Sequence, residues 1–312
     1  MYRVTELFMI DNTTIAASKS FKLASKVKDY FQLIKFTLSF MVVFSTVVCF
    51  LIAPYEQALF VYHPVVLVCI LFVAGLCITG SANTINQILE KDTDALMART
   101  ANRPIASGRM SVQEAWVFTV ILAVVGVSLM AYFFNVSSAL VGLFSLLIYG
   151  FVYTPLKKVN SIAVLVGAIP GALPCLIGWV AATDNFSTGG WVLFGIQFLW
   201  QFPHFWAIAW LAHEDYAKAG FKLLPSDKGP TKFTALQTIT YSAFMIPIGV
   251  LPYFYNITGV VSMWILLACN LWMVYTSVML FVKMNKNAAR WVMFSSYFYL
   301  MIVFLSLWAD KI

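Results

Sequence analysis

One polar segment of the chain carries side chains suited to binding a metal ion and a phosphate group. Asn86, Glu90 and Asp94 are spaced four residues apart, so on a continuing helix they share one face, with neighbours about 6 Å apart. Amide and carboxylate oxygens suit Mg²⁺, which usually shares its coordination shell with substrate phosphates. Arg99 and Arg103 follow at the same spacing, and arginine binds phosphate in a bidentate manner. The ordered set predicts a magnesium and diphosphate site.

The alternative is a solvated helix end whose charges pair with one another. Glu90 with Lys91, or Asp94 with Arg99, could form such pairs, which are individually weak. We favour the binding site because a solvated helix end rarely needs an asparagine, here Asn86, two turns inside the apolar boundary.

A second polar segment combines histidines with acids. His204 lies within an aromatic run, about ten residues before a charged loop that begins with His213, Glu214 and Asp215. An ionisable side chain inside a long apolar run is a candidate functional residue, although a buried structural histidine is the alternative. We expect His204 to be functional, and leave His213 and the exposed-loop residue His63 out of the site.

The composition requires that these segments be positioned by helices in a membrane. The chain is 61% hydrophobic and 11% charged, with a mean hydropathy of +0.84, whereas a soluble domain carries about 25% charged residues. This excludes an ordinary cytosolic enzyme, a disordered chain and a nucleic-acid binder. The net charge of +7 is interpreted as a signal of membrane orientation, with no nucleic acid as partner.

Nine apolar stretches are long enough to cross a bilayer as helices. All lysines and arginines except Lys311 fall in the N-terminal tail or in the loops after spans two, four, six and eight. The positive-inside rule therefore predicts a cytoplasmic N-terminus, with the long loops 83–111 and 212–233 on the same side. The predicted spans are 34–53, 64–82, 112–134, 138–155, 161–181, 190–211, 234–255, 259–281 and 291–308.

The remaining features define two regions and no further chemistry. Residues 1–28 are predicted to be a polar, basic tail without a signal peptide, and 29–312 a single nine-span domain. The five cysteines lie in apolar runs without a CxxC pair, so we expect buried hydrophobic side chains and neither disulfides nor zinc ligands. They are Cys49, Cys69, Cys77, Cys175 and Cys269.

The first polar segment resembles the signature of the UbiA-type intramembrane prenyltransferases. The matching residues are Asn86-x3-Glu90-x2-Thr93-Asp94-x2-Met97-x-Arg99-Thr100-x2-Arg103-x4-Gly108. That family has nine helices and transfers an isoprenoid from its diphosphate, which Mg²⁺ and acidic clusters hold. The resemblance implies that the metal ligands are Asn86, Glu90, Asp94 and Asp215, with Glu214 as an alternative to the last. The residues expected to bind the diphosphate are Lys35, Arg99, Arg103, Tyr153, Lys157 and Lys158.

Within that family, the chain is similar to the haem O synthase branch. Most family members carry several aspartates in the second polar segment, and this chain departs from that pattern, which weakens the case for a benzoate or naphthoate acceptor. The residues that carry the likeness are Trp200-Gln201-Phe202-Pro203-His204-Phe205, Glu214-Asp215-Tyr216, Ala219-Gly220, and Tyr153-Thr154-Pro155-Leu156-Lys157-Lys158 leading to Gly167 and Gly171.

The resemblance implies Mg²⁺-dependent transfer of a farnesyl group from farnesyl diphosphate to a vinyl group of haem B, giving haem O. Haem B is then a substrate and not a prosthetic group, and His204 is expected to ligate or orient its iron or to act as a base. The implied location is a bacterial inner membrane with the active-site loops in the cytoplasm. A haem A synthase or a terminal oxidase assembly would receive the product.

Three other functions are considered. The same chemistry could use an aromatic quinone precursor as acceptor. A cation transporter also places acids in membrane helices, but transporters often use broken helices at the midplane, whereas these acids cluster at one membrane face. A haem-bearing electron-transfer protein needs paired axial ligands, and His63 lies on the opposite side from His213.

Overall fold

The computed structural model describes residues 25–54, 61–226 and 228–312. Within these ranges the chain forms helices and no strand, which confirms the predicted all-α class. Eight helices are long and apolar enough to cross a membrane, and a ninth span is formed if α1 (Ser25–Leu33) and α2 (Phe36–Ile52), bent by 48°, are taken together. The predicted N-terminal tail lies outside the described residues up to residue 24, and residues 25–28 belong to α1.

The helices agree with the predicted spans to within a few residues, with two exceptions. Span one is bent between α1 and α2, and span two continues seven residues beyond residue 82 as a helix. The remaining helices are α3 (Pro64–Leu89), α4 (Lys91–Leu96), α5 (Val112–Phe133), α6 (Val136–Leu147), α7 (Thr154–Leu156), α8 (Ala163–Thr183), α9 (Thr188–Leu211), α10 (His213–Lys218), α11 (Lys232–Phe254), α12 (Val260–Lys283) and α13 (Lys286–Ala309).

A π-helical turn, Ile148–Tyr153, joins α6 to α7. The three pieces form one continuous apolar helix, Val136–Leu156. A π-helical turn contains an extra residue relative to the α-helix and is often found at functional sites. Here the turn lies at the end of the span that carries Tyr153 and, just beyond it, Lys157.

Helices α8 and α9 are the most buried of the long helices. Small residues allow their neighbours to approach closely, as is usual for helices packed in a membrane. A Cβ atom on Gly178 would overlap the backbone oxygen of Thr46 on α2, and one on Gly171 would overlap the side chain of Gln201 on α9. The bundle is thus built around α8.

At one end of the bundle, the loops contact one another. The backbone N–H of Lys222, after α10, donates to the carbonyl of Lys157, after α7, at 2.7 Å. Arg109, in the loop before α5, donates to Asp29 on α1 at 2.9 Å. These contacts gather the predicted site segments at this end.

Candidate active site

The helix that carries Asn86, Glu90 and Asp94 is interrupted, but the three residues keep their register. Helix α3 ends at Leu89, and α4 begins at Lys91. The N–H of Glu90 donates to the Asn86 carbonyl at 3.0 Å, and the N–H of Asp94 donates to the Glu90 carbonyl at 2.7 Å. The helical hydrogen-bond spacing therefore continues through the break. Asn86, Glu90 and Asp94 are only 1%, 4% and 1% exposed.

Asp94 forms an ion pair with Arg103 in which one guanidinium nitrogen contacts both carboxylate oxygens. The guanidinium Nη1 lies 2.6 Å and 2.8 Å from the two carboxylate oxygens, and the Thr100 hydroxyl donates to the Asp94 carbonyl. Burial raises the pKa of the Asp94 carboxyl, and the charge of Arg103 and its hydrogen bond oppose this shift. Arg103 thus stabilises a buried carboxylate at the predicted metal site.

Glu90 is paired with a lysine that lies far away in the sequence. Lys157 donates from Nζ to Glu90 Oε1 at 2.9 Å, with the two side chains 10% and 5% exposed. The same ammonium lies 4.6 Å from the ring centre of Tyr153 and 5.7 Å from that of Phe221. Removing one partner of a buried ion pair is costly, so α7 and the loop after α10 are held against α4.

Asn86 is held from two sides. Lys35 donates from Nζ to Asn86 Oδ1 at 2.9 Å, and Asn86 Nδ2 donates to the Thr154 hydroxyl at 3.3 Å. Thr154 in turn donates to the carbonyl of Tyr149, inside the π-helical turn. Lys35 interacts electrostatically with Glu90, Asp94, Arg103 and Lys157. Three of the four predicted metal ligands and three of the predicted diphosphate-binding cations therefore form one cluster.

The other predicted cations lie at the edge of this cluster. Arg99 donates to the Tyr216 hydroxyl at 3.4 Å and stacks over the Tyr216 ring, which joins the loop after α4 to α10. Lys158 is exposed, and no hydrogen bond or ion pair of its side chain is found among the described residues. Arg99 could reach a bound anion from the rim, whereas Lys158 points to no partner.

The acids of the second polar segment are not drawn into the cluster. Asp215 lies 3.5 Å from Lys218, with 28% of its side chain exposed, and Glu214 pairs with Lys286 at 2.8 Å on the surface. Among the described residues, no three acid, histidine or cysteine side chains gather closely enough to hold a metal ion. The donors Asn86, Glu90 and Asp94 nevertheless fit Mg²⁺, because they are buried hard oxygens on successive turns and Mg²⁺ keeps waters and substrate phosphates as its other ligands.

Comparison with known proteins agrees with this arrangement. Residues 42–306 match the UbiA prenyltransferase family. The chain belongs to that family. Among its relatives, a protoheme IX farnesyltransferase from Cytophaga hutchinsonii is 42% identical over 290 residues, covering 93% of this chain and all of the relative. A protein of the same name from Flavobacterium psychrophilum is 40% identical over 91% of this chain and 94% of the relative.

Solved structures of UbiA proteins share the fold. A digeranylgeranylglyceryl phosphate synthase structure is similar with a TM-score of 0.74 and 21% identity, covering 92% of this chain and 98% of that one. A UbiA homologue from Archaeoglobus fulgidus bound to GPP and Mg²⁺ is similar with a TM-score of 0.64 and 16% identity, over 89% and 99% of the two chains. The predicted UbiA-type fold is thereby confirmed.

In this UbiA-family protein, His204 lies apart from the acidic cluster. Its Nδ1 lies 2.8 Å from the hydroxyl of Ser296 on α13. Its ring stacks on Trp200 at a centroid distance of 4.7 Å and meets the edge of Tyr297. The histidine thus belongs to the contact between α9 and α13, and its predicted role toward an acceptor stays a prediction.

An apolar cavity lies inside the bundle, next to the part of α3 that precedes Asn86. It lies between α2, α3, α5, α6 and α8, and it is lined mainly by aliphatic side chains. Asn83 and Tyr149 also line it. Asn83 lies one turn before Asn86 on α3, and Tyr149 accepts the hydrogen bond from Thr154. One end of the cavity therefore lies within about one helical turn of Asn86.

Sequence reasoning missed three residues of this site, Thr154, Tyr216 and Phe221. Thr154 lies inside the Tyr153–Lys158 run that carried the family resemblance, and Tyr216 follows the Glu214-Asp215 pair. Both motifs therefore lie in segments that contain residues of the site. The contacts themselves depend on the π-helical turn and on the loop after α10, which residue spacing does not describe.

Proposed function

We propose that this protein transfers the farnesyl group of farnesyl diphosphate to a vinyl group of haem B. The bond between farnesyl C1 and the diphosphate oxygen breaks, and the vinyl carbon forms the new bond to C1. Water then adds to the adjacent carbon and loses a proton, which gives haem O and diphosphate. The observation that carries the proposal is the 42% identity with a protoheme IX farnesyltransferase over 93% of this chain.

The donor diphosphate is assigned to the cluster around Asn86, Glu90 and Asp94. Lys35, Lys157 and Arg103 each place a cation on one of these side chains, and positioned cations stabilise the negative charge that develops on a leaving diphosphate. Mg²⁺ bound by Asn86, Glu90, Asp94 and, from the second segment, Asp215 would polarise the leaving oxygen. Tyr153 stacks on Lys157, and Arg99 and Lys158 extend the cationic surface.

The isoprenoid chain is assigned to the apolar cavity beside Asn83 and Tyr149. A chain lying there can direct its diphosphate end toward the cluster, since Asn83, at one end of the cavity, lies one turn before Asn86 on α3. The aliphatic lining excludes water from the allylic carbon, which protects a carbocation from premature capture. On the acceptor side, we retain His204 as a residue that serves haem turnover and not diphosphate binding.

The proposed topology is nine membrane spans with a cytoplasmic N-terminus, in a bacterial inner membrane. It is supported by the eight long apolar helices plus the bent pair α1 and α2, and by the one-sided distribution of lysine and arginine. The catalytic domain is 29–312, preceded by the tail 1–28, and the site faces the cytoplasm. We infer that a haem A synthase or a terminal oxidase assembly takes up the product.

The test is mass spectrometry of haems extracted from a bacterial host that lacks its own haem farnesyltransferase, with and without this chain. We expect haem O only when the chain is present. The purified protein is then offered haem B or an aromatic quinone precursor together with farnesyl diphosphate. Prenylation of the quinone precursor and not of haem B would replace the proposed acceptor, and Mg²⁺ flux into vesicles without any prenylation would favour a transporter.

A further inference from the structure

Lys35 has an unusual backbone conformation for a lysine. It lies between α1 and α2 with φ 47° and ψ 57°, in the left-handed region. A residue other than glycine in that region is unfavourable and persists only where its surroundings hold it there, often at a functional site. The backbone of Lys35 places its ammonium on Asn86 Oδ1. Something must therefore stabilise the break between the two helices.

Two buried amides of α3 stabilise that break. Gln87 Nε2 donates to the carbonyls of Gln32 and Leu33 at 3.2 Å and 2.8 Å. Asn83 Nδ2 donates to the carbonyl of Ile34 at 3.3 Å. The Gln32 carbonyl also accepts from the Lys35 N–H, and the Ile34 carbonyl, just beyond α1, also accepts from the Ser39 hydroxyl. The carbonyl of Leu33, the last residue of α1, is one of those that a helix end leaves without an intrahelical partner, and Gln87 supplies that partner.

Both amides act as donors through their nitrogens, and Asn83 Nδ2 also donates to the hydroxyl of Ser39 on α2 at 3.1 Å. Gln87 and Asn83 are each 1% exposed, and neither Gln87 Oε1 nor Asn83 Oδ1 has a hydrogen-bond partner in the described part of the chain. A buried polar atom without a partner is costly. The interactions gained by these side chains are therefore those made by their nitrogens: Gln87 donates to the end of α1, and Asn83 donates to Ile34 in the break and to Ser39 on α2.

Helix α1 is also tied to the loop before α5. Arg109 Nε donates to Asp29 Oδ1 at 2.9 Å, and Arg109 Nη2 donates to Gln32 Oε1 at 3.0 Å. Helix α1 is thus held at its end by α3 and along its side by the loop after α4. Both anchors lie on segments adjacent to Asn86, Glu90 and Asp94.

We propose that Gln87 is a positioning residue for the donor diphosphate, which acts by holding the break that places the Lys35 ammonium at the site. Asp29 and Arg109 support the same placement from the outer side of α1. The inference rests on the proposed function, in which Lys35 contacts the diphosphate. Gln87 itself does not touch the substrate.

The test is a double-mutant cycle on the affinity for a non-hydrolysable farnesyl diphosphate analogue, measured with Mg²⁺ on the full chain in lipid nanodiscs. The variants are Gln87→Leu, Lys35→Ala and their combination. We expect Gln87→Leu to weaken analogue binding about tenfold in the wild-type background, and less than about twofold in the Lys35→Ala background, because residues that act through one another are not additive. A general structural defect would weaken analogue binding equally in both backgrounds.

Gln201→Leu is the matched control. Gln201 is also buried, and its Nε2 also donates to two carbonyls, those of Ala168 and Gln197. We expect its effect on analogue affinity to be the same with and without Lys35. Unchanged affinity of Gln87→Leu, or an equal loss in both backgrounds, would overturn the proposal.

If Gln87→Leu does not yield folded protein, the same double-mutant cycle with Asp29→Asn tests the proposal. Asp29 is buried and pairs with Arg109, whose side chain is 39% exposed. Asparagine keeps the size of the side chain, and the Arg109 guanidinium can be solvated when the charge of its partner is removed. We expect Asp29→Asn to weaken analogue binding about threefold when Lys35 is present and not in the Lys35→Ala background. An equal loss of affinity in both backgrounds overturns the proposal. Failure of the proposed function would give a different result: the wild-type protein would not bind the analogue, or would bind it and not prenylate haem B.

Discussion

The two polar segments of this protein contain the same residue types in different surroundings. In the first, Glu90 and Asp94 are paired with Lys157 and Arg103, and the two carboxylate side chains are 5% and 1% exposed. In the second, Glu214 pairs with Lys286 while its side chain is 77% exposed. Exposed ion pairs contribute little, whereas breaking a buried pair leaves an uncompensated charge. The burial of the ion pairs therefore distinguishes the candidate active site from a solvated surface, whereas the spacing of the residues in the sequence does not.

The largest expected effect comes from the first segment. Asp94→Ala and Glu90→Ala should each reduce turnover about a hundredfold or more, the size expected when a group that stabilises transition-state charge is lost. The measurement is initial rate against Mg²⁺ concentration, with the membrane-inserted protein quantified by size-exclusion chromatography. Near-native activity of either variant at limiting Mg²⁺ would remove that residue from the metal site.

The second effect tests whether the second segment joins the first during the reaction. Asp215→Ala should weaken Mg²⁺-dependent binding of a farnesyl diphosphate analogue and leave haem binding unchanged, while His204→Ala should do the reverse. Both losses are expected to be about tenfold, the size of one charged hydrogen bond. Calorimetric titration of each ligand into each variant provides the measurement. Loss of the analogue and retention of haem in His204→Ala would invert the assignment.

A smaller effect is expected at the rim of the first segment. Arg99→Lys keeps the charge but not the planar fork that binds phosphate in a bidentate manner, so the KM for farnesyl diphosphate should rise about fivefold. The KM for haem should not change. Steady-state kinetics with each substrate varied in turn would show this difference. An unaltered KM for the diphosphate would leave Arg99 with its contact to Tyr216 and a role in membrane orientation.

The smallest effect is expected at Glu214. The hydrogen bond and charge of Lys286 lower the pKa of the Glu214 carboxyl, so any stabilisation from the pair is present above the ordinary carboxyl pKa and is lost as the pH falls through the lowered value. Glu214→Gln should change neither turnover nor the melting temperature at pH 7. A large loss of turnover would show that Glu214, and not Asp215, is the ligand from the second segment.

The membrane spans could be predicted from the sequence because length and hydropathy decide them locally. The first polar segment could also be predicted, since Asn86, Glu90 and Asp94 keep helical spacing even though α3 stops at Leu89. The break at Lys35 could not, because it depends on Gln87, a residue of another helix. The pairing of Lys157 with Glu90 could not be predicted either, because the sequence spacing does not indicate which of the two adjacent lysines is buried.

The π-helical turn Ile148–Tyr153 precedes the pair in which Lys157 is buried and Lys158 is exposed, and it changes the angle at which these residues leave the span. One additional residue in a helix advances everything after it by about 100° around the axis. Adjacent residues of this span therefore face different surroundings: Phe151 and Val152 are exposed, while Tyr153 and Thr154 are buried. Deleting one residue within the turn should therefore rotate Lys157 away from Glu90, which a loss of the contact between their side chains would show.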